Sequence, residues 1–480
     1  MKKLTLATMM LCAVTTAGAK VTLSTLIGSN MVVQQQTDVR LWGTAKAGAT
    51  VAVTPSWDGK TTTVKADKNG QWLLTVKTPK AGYTPYTITF SDGNRAEDVK
   101  IDNVLVGEVW LTAGQSNMQM PLKGFSGCII EDGVREAIEA RRLPHVRMFT
   151  VPMRQMYTPQ ETCEGSWKTT AGYKNVMEFS ASAWNFAKLL QQALDVPVGI
   201  VNCAYGGTRV ESWLPKEILD TYSDINTDTA AIRKSLPNYE RVMVTYNGMF
   251  RPIRHVTVKG ILWYQGCSNV GSYQTYAGRL ATMVKQWRSE LGLGDIPFYF
   301  AEIAPYDYGS GESLEQKGAL LREQQFKAQS LIPNSCMIST NNTVESYERF
   351  NIHPKNKKAV GERFCFVALN KTYGHKDLCC EGPTYKGLTI KGAEAWVGFD
   401  NLQMGVCRNY DLQGFELAGE DKKFYPADEA TLHWQTNEVV LKSSKVAKPV
   451  AVRYCFRDFQ PGTLYGGNGL PAVPFRTDNW

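Results

Sequence analysis

VWLTAGQSNMQM (Val109 to Met120) closes an apolar run, Val104 to Leu111, that reads as a buried strand of an α/β sheet. The run breaks at Gly114, and Ser116-Asn117 follow two residues later. Open α/β sheets bind their ligands just beyond the carboxyl ends of the strands. A serine at that place, preceded by a glycine that lets the chain turn tightly, presents its hydroxyl to a cleft and nearby amides to an oxyanion. An ordinary strand-to-helix turn with a capping serine has the same local pattern, so this stretch alone leaves both readings open.

Working outward, the texture from Val104 to about residue 375 is that of strands interleaved with helices. Phe179 to Leu194 has helical spacing, and Val196 to Cys203 reads as a strand. Val256 to Tyr264, Pro297 to Ala304 and Ser335 to Thr340 are further strands, with helices over Tyr273 to Leu291 and Pro354 to Leu369. Such interleaving predicts βαβ units and a parallel sheet. Lys216 to about Pro252 is polar and reads as an irregular excursion above the sheet edge. Residues 20–103 instead carry short alternating runs, with Asn69-Gly70 and Asp92-Gly93 as hairpin turns, which predicts a small β-sandwich. From residue 381 to 480 the short strands return as a second β-region, packed either on the central domain or on the first sandwich.

The chain has 480 residues, enough for two or three domains. Lys2-Lys3, the apolar Leu4 to Thr16 and Ala17-Gly18-Ala19 match a secretory leader cleaved after Ala19, so a periplasmic or secreted protein is expected. No later stretch is apolar for long enough to span a bilayer. The formal charge is +8, but two of these charges sit in the leader and the others form no run of five or more. A solvated surface accounts for them better than nucleic-acid binding does. Eleven cysteines include Cys12 in the leader; the others are dispersed, without C-x-x-C pairs or metal-ligand spacing, and their connectivity cannot be deduced. Twelve Trp and 21 Tyr supply flat faces that suit sugar rings, although most aromatics pack cores.

Three more strand ends carry polar clusters. Val201 runs into Asn202 to Thr208, with Gly206-Gly207 exposing backbone N–H groups, and then Glu211-Ser212-Trp213. Leu262 runs into Trp263-Tyr264-Gln265-Gly266-Cys267-Ser268-Asn269. Asn351-Ile352-His353-Pro354 opens the last helix, with Pro suited to its first turn. Each cluster alone has a structural explanation: a tight loop, a packed amide, one of five histidines.

Together the clusters resemble the SGNH hydrolase superfamily, and more closely the sialate O-acetylesterase family of carbohydrate esterases. The family's GQSNM is Gly114 to Met118, and its N-x-x-x-G-G-T…E-x-W is Asn202, Gly206, Gly207, Thr208, Glu211 and Trp213. Its W-Y-Q-G-E-S-N is Trp263 to Asn269 with one change, and its D-I-H-P-K-N-K is Asn351 to Lys357 with one change. Asn30 to Gln34 and the ending Gly469 to Asp478 also resemble it, so nearly the whole mature chain is covered. The resemblance implies a flavodoxin-like parallel sheet over residues 104–375, Ser116 as nucleophile and His353 as its general base. It implies an oxyanion hole from the N–H groups of Ser116 and Gly207 and the Asn269 side chain, and no cofactor or metal. Gln115, Arg209, Trp213 and Gln265 are the expected contacts to an acetylated carbohydrate, with Tyr205 and Tyr264 as further stacking faces and Arg209 suited to a sugar carboxylate.

Two departures bear on this. Where the family has its acid there is Asn351, and three residues before His353 stands Phe350. Asn351 offers the imidazole a hydrogen bond without negative charge; Glu302, Glu345 and Glu348 are the carboxylates that stand in from elsewhere, or a backbone carbonyl orients a Ser–His dyad. The intact remainder favours a working dyad over a dead enzyme. Cys267 replaces a family Glu and reads as a small buried residue. The expected function is a serine esterase removing O-acetyl groups from sialate. The alternatives are an acetylesterase on plant polysaccharide (xylan or pectin) and a catalytically impaired carbohydrate-binding protein. Oligomeric state is not legible.

Overall fold

Val99–Gly114 form one continuous strand, β1, whose burial changes along its length. Residues 99–103 alternate between core and solvent, and every residue from Val104 onward is buried. An antiparallel strand with one wet face alternates; a parallel strand covered on both faces does not. The first half of β1 accordingly pairs antiparallel with Gly82–Ser91, completing one sheet of an N-terminal sandwich. The second half is the centre of a parallel sheet, so the expected boundary between residues 103 and 104 falls within this strand.

In chain order the parallel sheet adds β2 (Val146–Thr150), β3 (Val198–Ala204), β4 (Gly260–Tyr264), β5 (Phe298–Ala301) and β6 (Ser335–Ile338). Their lateral order is β2-β3-β1-β4-β5-β6, and every neighbouring pair is parallel. Ala204 of β3 and Tyr264 of β4 lie opposite Gly114 from either side, so the winding direction reverses where β1 ends. Ligand clefts open at such reversals. Gly114 has φ +137°, and a Cβ there would lie 2.2 Å from the Tyr264 carbonyl oxygen. No side chain fits between these strands.

Helix α1 (Ala181–Leu194) and helix α4 (Lys357–Val367) cover one face through Trp184, Phe186, Leu190, Val360 and Phe364. Helix α2 (Tyr276–Leu291) and helix α3 (Lys317–Leu331) cover the other, in a core continuous with that of the sandwich. Sequence periodicity marks neither α3 nor β2. Helix α3 buries Arg322 and Gln325 beside Leu321 and Ala328, so no apolar stripe marks its inner face. The segment expected as a polar, irregular excursion above the sheet edge is buried in its second half, where Phe250 stacks on Trp287 at 4.0 Å.

The computed structural model describes residues 20–237, 240–309, 316–407 and 411–480, without the side chain of residue 95. The expected leader and its cleavage after Ala19 lie outside the described residues. Two four-stranded antiparallel sheets with their own core make up the C-terminal region. It docks on α3: Asp458 Oδ1 accepts the Gly318 N–H (2.7 Å), and Arg476 pairs with Glu323 (2.7 Å). None of the described cysteines is in a disulfide. No helix among the described residues is long and apolar enough to cross a membrane.

Helix α4 approaches α1 closely at Gly361, where a Cβ would meet the Ser182 carbonyl oxygen at 2.5 Å and Asn185 Cβ at 2.7 Å. Gly361→Ala is expected to lower stability by about 1–3 kcal/mol, as overpacking does, measured as a shift in the urea midpoint. An unchanged midpoint would show that the two helices are free to separate.

Candidate active site

The chain leaves β1 under tight restraint. Gln115 N–H donates to the Tyr264 carbonyl (3.0 Å), and Gln115 Oε1 accepts the Gly266 N–H (2.8 Å). Ser116 then opens a single helical turn, Ser116–Gln119, in which Asn117 and Met118 are buried and Ser116 is half-buried. Gln119 Oε1 accepts the Gly206 N–H (2.7 Å), which draws the loop after β3 against this turn. A Cβ on Gly206 would stand 3.4 Å from Ser116 Cβ. Neither the Ser116 nor the Gly207 N–H is hydrogen-bonded to a described residue.

Asn117 joins the serine turn to the histidine segment: its Nδ2 donates to the Ile352 carbonyl (3.0 Å). His353 beside it is half-buried, with the Phe125 ring edge-on at 5.2 Å. The helix expected to begin at Pro354 begins instead at Lys357, because Asn356 caps it by accepting the Ala359 N–H (3.0 Å). His353 therefore sits on an irregular loop rather than in a first helical turn.

Asn351 does not hydrogen-bond the imidazole as expected. Its Oδ1 turns back to accept the His353 backbone N–H (3.0 Å), a local bond that Asn makes two residues along. Its Nδ2 donates to Glu348 Oε1 (3.4 Å), which also accepts the Lys355 N–H (3.0 Å). Glu302 is fully buried; its Oε1 accepts from Ser339 Oγ (2.5 Å) and the Thr340 N–H (2.8 Å), and burial pushes its carboxyl pKa up. Glu345 forms a reciprocal cap with Glu348. Of these three carboxylates, Glu348 is the one hydrogen-bonded into the histidine loop. At the imidazole itself stands Cys128, which no sequence motif marks and whose Sγ lies 3.9 Å from His353 Nδ1.

Several expected contacts are core instead. Trp213 is fully buried, packs edge-on against Trp263 and Trp287, and donates to Thr208 Oγ1 (3.0 Å). Gln265 is fully buried and spends its amide on the Thr208 carbonyl (3.0 Å) and Asn269 Oδ1 (2.8 Å). Tyr264 is buried as well. None of the three offers a face to a sugar, because the sheet and the loop after β3 enclose them. Asn269 is buried; its Oδ1 accepts the Val210 N–H (3.0 Å) and its Nδ2 donates once, to Glu211 Oε2 (3.0 Å). Arg209 pairs with Glu240 (2.9 Å). Cys267 is buried, and desolvation raises its thiol pKa, which disfavours a nucleophilic thiolate.

The charge around His353 is unusual. Burial, and then the Lys357 cation, push its pKa down from 6.5 to about 4. Lys357 is fully buried with Nζ donating to the Pro354 carbonyl (2.5 Å), and burial lowers its own pKa to about 7 against the pull of Glu348. The unfolded chain takes up the histidine proton first. This group's contribution to stability is therefore lost as pH falls from 6.5 to about 4. In an NMR titration the His353 Cε1 proton is expected to inflect near pH 4, and Lys357→Met to move that inflection upward. An inflection near 6.5 in the unaltered protein would contradict the burial of the ring.

The family profile described as "Carbohydrate esterase, sialic acid-specific acetylesterase" matches residues 106–370. Sialate O-acetylesterase of Mus musculus is 26% identical, over 96% of this chain and 94% of its own. That of Homo sapiens is 26% identical over 96% and 93%. The crystal structure of a carbohydrate acetylesterase from Xanthomonas citri superposes with a TM-score of 0.84 at 32% identity, covering 96% of this chain and 100% of that one. The chain belongs to the sialic acid-specific acetylesterase family of carbohydrate esterases and is a carboxylic ester hydrolase.

Proposed function

We propose that the protein is a serine esterase of the SGNH hydrolase superfamily that removes O-acetyl groups from sialic acid through an acetyl-Ser116 intermediate. The observation that carries this reading is the Asn117 Nδ2 bond to the Ile352 carbonyl (3.0 Å), which sets the loops of Ser116 and His353 side by side at the end of β1. The strand order β3-β1-β4-β5-β6 is that of flavodoxin-like sheets and supports the superfamily assignment.

In this mechanism Ser116 Oγ attacks the acetyl carbonyl carbon while His353 Nε2 takes its proton. The tetrahedral oxyanion is met by the unpaired Ser116 and Gly207 N–H groups and by the remaining amide proton of Asn269. One such donor is typically worth about 10²–10³ in rate. Collapse breaks the acyl C–O bond, and the departing sugar oxygen takes the proton from His353. Water then attacks acetyl-Ser116, giving its proton to His353. Acetate leaves, and the proton returns to Ser116.

The sialate O-acetylesterases among the relatives support an acidic sugar as substrate, and the expected leader supports action outside the cytoplasm. A second reading, deacetylation of a neutral plant polysaccharide such as xylan, is favoured by one contact. Arg209, the residue suited to a sugar carboxylate, is already paired with Glu240.

Acetate release is the test, with 4-nitrophenyl acetate, O-acetylated sialic acid and acetylated xylan as substrates. The unaltered protein is expected to turn over, and Ser116→Ala and His353→Ala to lose about 10³-fold or more. Preference for xylan would select the second reading. Glycan retention without acetate release, unaffected by Ser116→Ala, would make the chain a binding protein instead.

A further inference from the structure

The imidazole of a serine hydrolase needs a partner at Nδ1 that holds its ring and tautomer, so that Nε2 is free to accept the serine proton. Here no carboxylate is hydrogen-bonded to the ring among the described residues: Asn351 Oδ1 accepts the His353 backbone N–H, and Glu302 Oε1 accepts from Ser339 and Thr340. What faces Nδ1 is the half-buried Cys128, with Sγ at 3.9 Å.

Cys128 is held there by more than one restraint. Residues 125 and 128 exchange two backbone hydrogen bonds, each 3.0 Å, closing a tight loop. Phe125 in the same loop lies edge-on against the His353 ring (5.2 Å). Three residues beyond Cys128, the Glu131 N–H donates to the Lys355 carbonyl (3.2 Å), fastening the loop to the far side of the histidine segment. The Cys128 thiol is also within reach of Asn351 Oδ1 (3.7 Å), to which it donates. With the S–H so directed, the sulfur lone pairs are left for the Nδ1 proton.

Resting on the esterase reading above, we infer that Cys128 is a positioning residue for His353, standing where a triad acid would stand. His353 Nδ1–H donates to Cys128 Sγ, Cys128 S–H to Asn351 Oδ1, and Asn351 Nδ2 to Glu348. The sequence ends on a carboxylate three links from the ring. It orients the imidazole through neutral groups and puts no full charge beside it. The other titratable groups around the ring are Lys357, which opposes a proton on it, and the buried Cys267 and Glu348, which face Lys357.

The test is steady-state acetate release by Cys128→Ala, Cys128→Ser and Cys128→Asp, with melting temperatures recorded for each. Cys128→Ala is expected to lower kcat at least tenfold with KM unchanged, and the near-isosteric Cys128→Ser to recover part of the loss. Cys128→Asp is expected to move the acid limb of the kcat/KM profile upward by a pH unit or more, because a carboxylate at Nδ1 favours the imidazolium. Unaltered kcat and pH profile in both Cys128→Ser and Cys128→Asp would overturn the inference, even if Cys128→Ala failed to fold. Failure of the esterase reading looks different: Ser116→Ala would then release acetate as fast as the unaltered protein.

Discussion

Everything at the candidate site depends on β1, a strand that must serve two sheets and then stop within a single residue. Its first half is an antiparallel partner in the sandwich, and its second half is the centre of the parallel sheet. Where it stops, β3 and β4 are both hydrogen-bonded alongside, so the backbone of Gly114 lies too close to Tyr264 for any Cβ. That restriction forces the chain out of the sheet immediately, and Ser116 is the first helical residue it reaches. The sandwich is thus part of what fixes the serine, since the strand that carries the serine is anchored in it.

The second organising feature is electrostatic. Family resemblance implies an acid at position 351 and a Glu at position 267, and this chain has Asn351 and Cys267. Lys357 is buried without either carboxylate, its Nζ donating to the Pro354 carbonyl, and burial lowers its pKa to about 7. His353 is half-buried, and burial together with Lys357 holds its pKa down to about 4, which keeps it neutral and ready to accept a proton at ordinary pH. The cost falls on the imidazolium that forms in the transition state. Its neighbours Cys128 and Asn351 are polar but uncharged, so orientation rather than charge is what they supply.

Several residues of the candidate site are legible in the sequence, and they share a property: each lies at the end of an unbroken apolar run that marks a strand buried on both faces. Ser116, Gly207 and Asn269 follow β1, β3 and β4 in this way. Residues whose meaning depends on a distant partner were misread or unseen. Trp213 and Gln265 sit in the recognised clusters, yet the first is locked among Trp263 and Trp287 and the second between Thr208 and Asn269. Helix α3 carries no apolar stripe because its buried face includes Arg322, which donates to the Cys455 carbonyl of the C-terminal region, and Gln325, which donates to the Gln265 and Ala301 carbonyls.

The order of residues alone marked most of the alternating strands and helices, the two flanking β-regions and the four polar clusters, because burial imposes a pattern on the local sequence, while β2 and α3 carried no such mark. Tertiary structure decided the partners. Asn351 and Cys128 are 223 positions apart, and no local pattern records that a hairpin loop brings one sulfur to both Asn351 and the His353 ring. Hydrogen bonds act over about 3 Å in space, whatever the separation along the chain. For the same reason Asn351 was expected at the imidazole and is found on the backbone: the composition of the loop was legible, but the direction of its side chains was not.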